Sequence, residues 1–541
     1  APAPVCAPTR SSIITGVFAN SLGTHQMRSS YPIPKGFKFY PKYLREAGYY
    51  CTNQSKEDYN TINQKDAWNE SGKEASYNNR QEGQPFFHIY NFTISHESSV
   101  HKSIPTDELR HDPKKVPIPP YHPRTEAMEH DWAQYYDKVE DLDTKVGEVL
   151  AEIEEAGLTE NTIIFYYSDH GGVLGRSKRF MYESGLKVPL IVSIPKKYQY
   201  LAEEMSGSTT DRFVNLLDMA PTVLNLIGSN IPDYMQGKPF LGKNTKKAES
   251  SFGFRGRMDE RFDLVRTVRN KEYRYIKNYM PHRIYGQYIE YLWRAPSMKS
   301  WEQAYLNGEL NETQSAFWKE KPAEELYNIK DDPHNINNLA ADPELSKVLA
   351  DLRKECQNWQ RNIIDVGFIP EPMIERISAD TPMYDYVRKD VFPFDRIMET
   401  ANMATTRNPD HIDELAERLN DSNPIVRYWA LVGFAILSDQ ANLPLDKIRG
   451  LINDEEISVR IVASEVLYKT GEKEAALTTL IDCLGSELMM ARTMALNVLA
   501  LMGEESRPAL SAVQMVAGKT ISGTTYDIRA AKGLIDYLSK N

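Results

Sequence analysis

The chain has 541 residues, too many for one core, and its 41% apolar and 26% charged residues describe a soluble globular protein of two or three domains. A net charge of -11 excludes general binding to nucleic acid or an anionic membrane, and no apolar run reaches the ~18 residues of a membrane span. Cys6, Cys51, Cys356 and Cys483 are far apart and form no CxxC pair, which excludes a disulfide framework and a zinc spacing.

The sequence begins five residues before Cys6, without a signal peptide. Residues 7–19 predict a helix opened by Pro8 and anchored by Ile13 and Ile14. Tyr43, Leu44 and Ala47 give a helical pattern within 36–48, and 49–52 is a short strand. The polar stretch 57–84 reads as loop, and the aromatic run 86–92 as a buried strand ending in Ser95-His96-Glu97. Residues 98–124 read as an extended excursion. Residues 125–156 predict one long amphipathic helix, with Val139, Leu142, Val146, Val149, Leu150 and Ile153 on its apolar stripe and Gly157 at its end. Strands at 162–168 and 188–194 and a helix at 212–228 complete an alternation that implies a mostly parallel α/β sheet, with ligands outside the carboxyl ends of its strands.

From about 251 the pattern changes. Residues 262–269 and 273–277 predict a hairpin of a small antiparallel sheet, joined by a strand near 325–328 and closed by a helix over 343–364. Four prolines between 367 and 395 suggest a linker. Ile425-Val426-Arg427, Ser458-Val459-Arg460 and Met490-Ala491-Arg492 then recur at intervals of 33 and 32 residues, with a weaker copy at Asp527-Ile528-Arg529. Paired helices at that period indicate a helical solenoid, and the units look like short HEAT-type repeats; an ordinary helical bundle is the alternative. The expected division is 1–250, 251–366, a linker 367–407, and repeats over 408–541.

Cys6-Ala7-Pro8-Thr9-Arg10, closed by Thr15-Gly16, resembles the signature of the type I sulfatases of the alkaline phosphatase superfamily. In that family the cysteine is oxidised to formylglycine, whose hydrate attacks sulfur with one hydroxyl and releases sulfate through the other. Four more segments follow in family order. Tyr43-Leu44-Arg45-Glu46-Ala47-Gly48 leads to Lys56, which fits a sulfate-binding lysine, while Asp58 stands where the family has histidine. His96 resembles the histidine beside the leaving-group oxygen. Asp169-His170-Gly171-Gly172 matches a metal-binding pair, and Lys178-x-x-x-Tyr182-Glu183-x-Gly185-x-x-Val188-Pro189 places Lys178 on a sulfate oxygen.

The resemblance covers about residues 1–365. It implies a sulfatase fold, a mixed sheet sandwiched by helices with a small antiparallel-sheet subdomain. It also implies Cys6, Arg10, Lys56, His96 and Lys178 as catalytic residues, and Asp169 and His170 as ligands of Ca2+, with Mg2+ as the alternative. A tandem Asp-Asp of the family is expected upstream of Ala1. Arg179 and Lys187 are expected as a surface charge and a structural contact. The run 178–189 and Gly256-Arg257-Met258-Asp259-Glu260-Arg261 are similar to bacterial heparan N-sulfatase-like enzymes, which implies a sulfated oligo- or polysaccharide, a periplasmic or extracellular location and a formylglycine-generating enzyme as maturation partner. Asp58, Arg257, His282, Arg283 and Tyr288 are candidates for contacting substrate, and a homo-oligomer is a further expectation. A phosphatase or phosphonate monoester hydrolase of the same superfamily, and an inactive fragment serving as a repeat scaffold, are the alternative functions.

Overall fold

The computed structural model describes residues 1–243, 245–519 and 525–540. Its first helix, Cys6–Thr15, buries every residue but Arg10 and ends at Gly16, whose φ of 69° only glycine adopts freely. A Cβ at Gly16 would lie 3.0 Å from Met235, so the helix end is also fixed by close packing. This turn splits the expected helix 7–19 in two, the second piece being Ala19–Leu22.

Strands β1 (Tyr50–Gln54), β2 (Glu70–Ser71) and β3 (Phe86–Tyr90) form a parallel sheet in the order β2-β1-β3, with Thr52 opposite both Glu70 and His88. The stretch 57–84 is therefore not wholly loop: it carries β2, two short 3-10 turns, and Trp68 buried under the sheet. Strands β4 (Ile164–Tyr167) and β5 (Leu190–Ser193) pair antiparallel, with Phe165 opposite Val192. The expected mostly parallel arrangement thus holds for β1–β3 alone, and the architecture is mixed. No long crossover helix separates β4 from β5, only the four-residue helix Glu183–Leu186 and its loops, so the chain returns beside the strand it left.

The long helix is Glu126–Glu155. Its anchored part is the first half, where Met128, Glu129, Asp131, Ala133, Gln134 and Asp137 are buried. Asp131 accepts the Ser297 N–H at 2.8 Å, and Gln134 donates to the Ser99 and Lys102 carbonyls. Loop backbone thus buries a polar face, while Val139 and Leu150 of the expected stripe are 43% and 45% exposed.

Strands β6 (Ser251–Arg255), β7 (Val265–Arg269), β8 (Tyr273–Asn278) and β9 (Glu324–Asn328) form the antiparallel sheet in sequence order. Helix Ser346–Ile363 covers it through Leu352, Cys356 and Trp359. The expected linker 367–407 is instead packed structure. It folds into Glu371–Ser378, Met383–Tyr386 and Phe394–Ala404, with Met373, Ile374, Met383, Ile397 and Met398 in one core with Leu264, Tyr279 and Trp429. Its prolines stand at helix starts, where the missing N–H costs no hydrogen bond.

Helices Pro424–Ile436, Ile457–Lys469, Met489–Met502 and Tyr526–Lys540 then stack, with shorter helices between them. Arg427 donates to the Asp421 carbonyl and to Asp454, both at 2.8 Å; Arg492 donates to the Ser486 carbonyl at 2.6 Å and to Asp527 at 2.8 Å. Arg427 and Arg492 thus each tie their own turn to a carboxylate further along the stack, whereas Arg460 reaches only Asp482 at 3.8 Å and Arg529 faces Asp259. The four cysteines are free and buried, and no helix among the described residues is long and apolar enough to cross a membrane.

Candidate active site

Cys6 stands at the first turn of helix Cys6–Thr15, whose N-cap, Val5, offers no side-chain acceptor. The unsatisfied N–H groups there favour an anion. Burial pushes the Cys6 thiol pKa up, against the opposing pull of Lys178 and Lys56, so the plain thiol stays protonated.

One helical turn on, Arg10 reaches across to the loop after β1. It donates to the Lys56 carbonyl at 2.6 Å, the Glu57 carbonyl at 2.8 Å and Asn91 Oδ1 at 2.8 Å, with Tyr59 under its guanidinium. Its remaining nitrogen, Nη1, lies 3.8 Å from Asp169 Oδ2. Lys56 Nζ stands 3.9 Å from the same oxygen and 4.0 Å from Asp58. The loop after β4 thus brings Asp169 between two cations. Burial would raise its pKa, but His170, Lys56 and Arg10 outweigh burial and hold it at about 2.

The far wall comes from the loop after β3 and the segment before β5. Lys178 is buried, 3.0 Å from Glu97 Oε2 and 3.4 Å from His96 Nε2. Arg179 donates to both oxygens of Glu97, at 2.7 and 3.0 Å, and to Asp259 at 3.0 Å. At 1% exposure Arg179 is a buried brace, which corrects its reading as a surface charge. His96 Nδ1 lies 3.3 Å from the Ser98 backbone nitrogen and 3.0 Å from Ser98 Oγ, and its Nε2 faces the Lys178 ammonium, a group that can only donate. Burial, with Lys178 and Lys56, lowers the His96 pKa to about 3, so the ring is neutral.

Asp169 offers a divalent cation hard carboxylate oxygens, and His170 adds a softer ring nitrogen. His170 Nδ1 donates to the Gly171 carbonyl at 2.9 Å, which frees the Nε2 lone pair 3.8 Å from Asp169 Oδ1. Asp169 itself accepts no hydrogen bond among the described residues, and Asp58 Oδ2 is buried with Lys56 at 4.0 Å and no hydrogen-bond partner among them. Unused lone pairs of a carboxylate beside an imidazole are what a metal would need.

Cys6, Arg10, Lys56, Asp58, His96, Asp169, His170 and Lys178 therefore meet in one pocket. Arg257, His282, Arg283 and Tyr288 lie elsewhere. Arg257 is buried on Glu371 at 2.6 and 2.9 Å, and His282 and Arg283 face Glu465 of the repeats at 3.6 and 2.5 Å. Tyr288 packs on Trp293 and against Gly533. These side chains join the antiparallel sheet to the C-terminal helices. Glu97 and Asn91 had no motif to mark them; Glu97's one signal was an acid directly after His96 at a strand end.

A family model described as Sulfatase matches residues 50–229, and one described as N-sulphoglucosamine sulphohydrolase, C-terminal, matches residues 176–288. An ulvan-active sulfatase of Formosa agariphila is 36% identical over 416 residues, covering 68% of this chain and 69% of the relative. The chain belongs to the sulfatase family. This sulfatase is a sulfuric ester hydrolase of the alkaline phosphatase superfamily. A second ulvan-active sulfatase of Formosa agariphila is 28% identical over 267 residues, covering 46% of this sulfatase and 49% of the relative. The human N-sulphoglucosamine sulphohydrolase is 27% identical over 273 residues, covering 46% and 51%. Of these last two relatives the sulfatase spans about half the length.

Proposed function

We propose that this sulfatase removes sulfate from a sulfate ester or sulfamate of a sulfated carbohydrate, using formylglycine made from Cys6 and a divalent cation held by Asp169 and His170. The observation that carries the reading is the meeting of Arg10, Lys56 and Lys178 around Cys6 at an uncapped helix N-terminus. Three cations in a buried pocket hold a tetrahedral anion and stabilise charge that develops on it. A buried, protonated thiol is a poor nucleophile, which favours conversion to the aldehyde over direct attack by sulfur.

Formylglycine supplies, as its hydrate, a hydroxyl nucleophile and a second hydroxyl whose deprotonation expels sulfate. The chain's own residues do the rest. Arg10, locked by two carbonyls and Asn91, offers Nη1 to the pocket in a fixed direction. Lys178, oriented by Glu97, binds a sulfate oxygen, and His96, whose Nε2 lies beside Lys178, serves the leaving-group oxygen. Asp169 and His170 would hold Ca2+, or Mg2+, to neutralise a further share of the sulfate charge. A polysaccharide substrate is too large to enter the cytoplasm intact, so the enzyme works in the periplasm or outside the cell after maturation by a formylglycine-generating enzyme.

The test is the full chain produced in a formylglycine-forming host. The Cys6 peptide is weighed, and turnover of an aryl sulfate, an aryl phosphate and a sulfated disaccharide is compared. Aldehyde at Cys6 with preference for sulfate is expected. An unmodified thiol in active protein, or faster turnover of the phosphate, would overturn the proposal.

A further inference from the structure

Two chains of charge lead out of the pocket and end at the same rim. One runs from Lys56 to Asp58 at 4.0 Å, and from Asp58 to Arg28 at 4.0 Å. The other runs from Lys178 through Glu97 and Arg179 to Asp259, and ends at Arg529, 3.8 Å from Asp259 Oδ1. Arg529 belongs to Tyr526–Lys540, the last helix of the repeats. Along the second chain the carboxylates are already engaged. Asp259 takes two nitrogens of Arg179 at about 3 Å, and Glu97 is shared between Lys178 and Arg179. Arg28 and Arg529 are left with only distant partners at 4.0 and 3.8 Å, and their side chains are 44% and 29% exposed.

Between them sits Tyr526. Its ring is buried, with the guanidinium of Arg257 at 4.3 Å and that of Arg529 at 5.6 Å. Its hydroxyl is buried and finds no hydrogen-bond partner among the described residues. A buried orphan hydroxyl is costly unless something else completes it. The electrostatic neighbours of Tyr526 are Asp259, Arg257, Arg28 and Arg529, and those of Arg28 include Tyr526 and Cys6, which sets this rim beside the reacting centre.

We propose that Arg28, Arg529 and the Tyr526 hydroxyl form a second anion subsite, which binds a carboxylate or a further sulfate group on the sugar next to the one being desulfated. The repeats thereby contribute directly to substrate choice. The inference rests on the reading of the pocket as one that desulfates a sugar. A neutral saccharide would leave the two guanidinium groups with only their carboxylates at 4.0 and 3.8 Å and the hydroxyl without a hydrogen bond, whereas an acidic one offers an acceptor to all three. Charge-assisted bonds to an anion at partly buried arginines exceed what a neutral hydroxyl could return.

The test has a binding arm and a turnover arm, both on the full chain carrying formylglycine. Calorimetry measures sulfate-free disaccharide probes bearing one carboxylate, and matched probes bearing one sulfate away from the reacting position, with the neutral disaccharide as control. An anionic probe is expected to bind at least about tenfold more tightly than the neutral one, and Arg529→Gln or Arg28→Gln to erase that difference, with Arg529→Lys restoring part of it. Which probe binds tells carboxylate from sulfate. In turnover, Arg529→Gln is expected to raise KM for an acidic sulfated disaccharide about tenfold more than for a neutral sulfated one, and Tyr526→Phe to act in the same direction. Equal losses on both substrates, or anionic and neutral probes that bind alike, would overturn the subsite. Wild-type protein that binds the anionic probe but turns over no sulfate ester would overturn the hydrolase reading alone.

Discussion

Glu97 holds Lys178: its Oε2 lies 3.0 Å from the lysine ammonium, and the same carboxylate grips Arg179 with both oxygens. All three side chains are buried. Burial alone would raise the Glu97 pKa, but Arg179 and Lys178 hold it well below the ordinary carboxylate range. Glu97→Ala leaves buried Lys178 without a carboxylate and Arg179 with Asp259 alone, and is expected to cost about 3–5 kcal/mol of stability. Glu97→Gln keeps the shape and is expected to cost less, yet to lower kcat sharply because Lys178 loses its anchor. Denaturant unfolding and aryl sulfate turnover on both variants check this, and a Glu97→Gln enzyme with wild-type kcat would contradict it.

On the proposed reading, Lys178 and Arg10 act on the sulfate in transit rather than on the rest of the substrate. Replacing either by alanine is expected to reduce kcat about 10²–10³-fold, the scale seen when one preorganised donor is lost. Lys178→Arg is not expected to rescue, because the planar fork does not fit a point beside Glu97. Steady-state kinetics with the aldehyde content of each variant measured in parallel separates this effect from failed maturation.

Chelation tests the metal reading on a readout other than rate. Adding Ca2+ to chelator-treated protein is expected to raise the unfolding midpoint, by about 2.7 kcal/mol of stability at a hundredfold excess over Kd. Asp169→Asn is expected to remove that response. A midpoint indifferent to Ca2+ and Mg2+ in the wild type would show that Asp169 and His170 do not hold either ion.

His122 gives a pH dependence far from the pocket. Its Nδ1 accepts the Trp132 indole N–H at 3.1 Å and its Nε2 faces the Gly175 carbonyl at 2.9 Å, so the ring is neutral. Burial lowers its pKa to about 3. The unfolded chain, with an ordinary histidine pKa near 6.5, binds more protons between those values. Stability from this residue is therefore full above about pH 6.5 and falls as the pH drops towards 3, by about 1.4 kcal/mol per unit. Urea unfolding followed by Trp132 fluorescence at pH 7.5, 6 and 5 should show a steeper decline for the wild type than for His122→Asn. Parallel slopes would refute the assignment.

Much of this was legible in the sequence for physical reasons that can be named. Helical periodicity carried the helices, and two of the recurring arginines, Arg427 and Arg492, make the same loop-to-carboxylate tie. The pocket was legible where a residue sits at a strand end or a helix start, as Cys6, His96 and Asp169 do. Pairing direction was not, since nothing local in 190–193 says that it returns antiparallel to 164–167. Prolines misled at 367–407, where Pro372 opens a helix as readily as it would mark a linker. Arg179 misled because charge was read as exposure, and its partners, Glu97 and Asp259, lie about 80 residues away on either side.

The packed segment 367–407 also governs how this enzyme can be divided. Trp429 in helix Pro424–Ile436 donates its indole N–H to the Phe368 carbonyl at 2.8 Å, and both rings lie against Tyr279, directly after β8 of the antiparallel sheet. Cutting the chain ahead of the repeats would strip the cover from Met373, Ile397 and Met398 and leave an apolar wound on the catalytic half. Modular exchange of the C-terminal helical region between relatives would fail at that seam unless the residues on both sides of it travelled together.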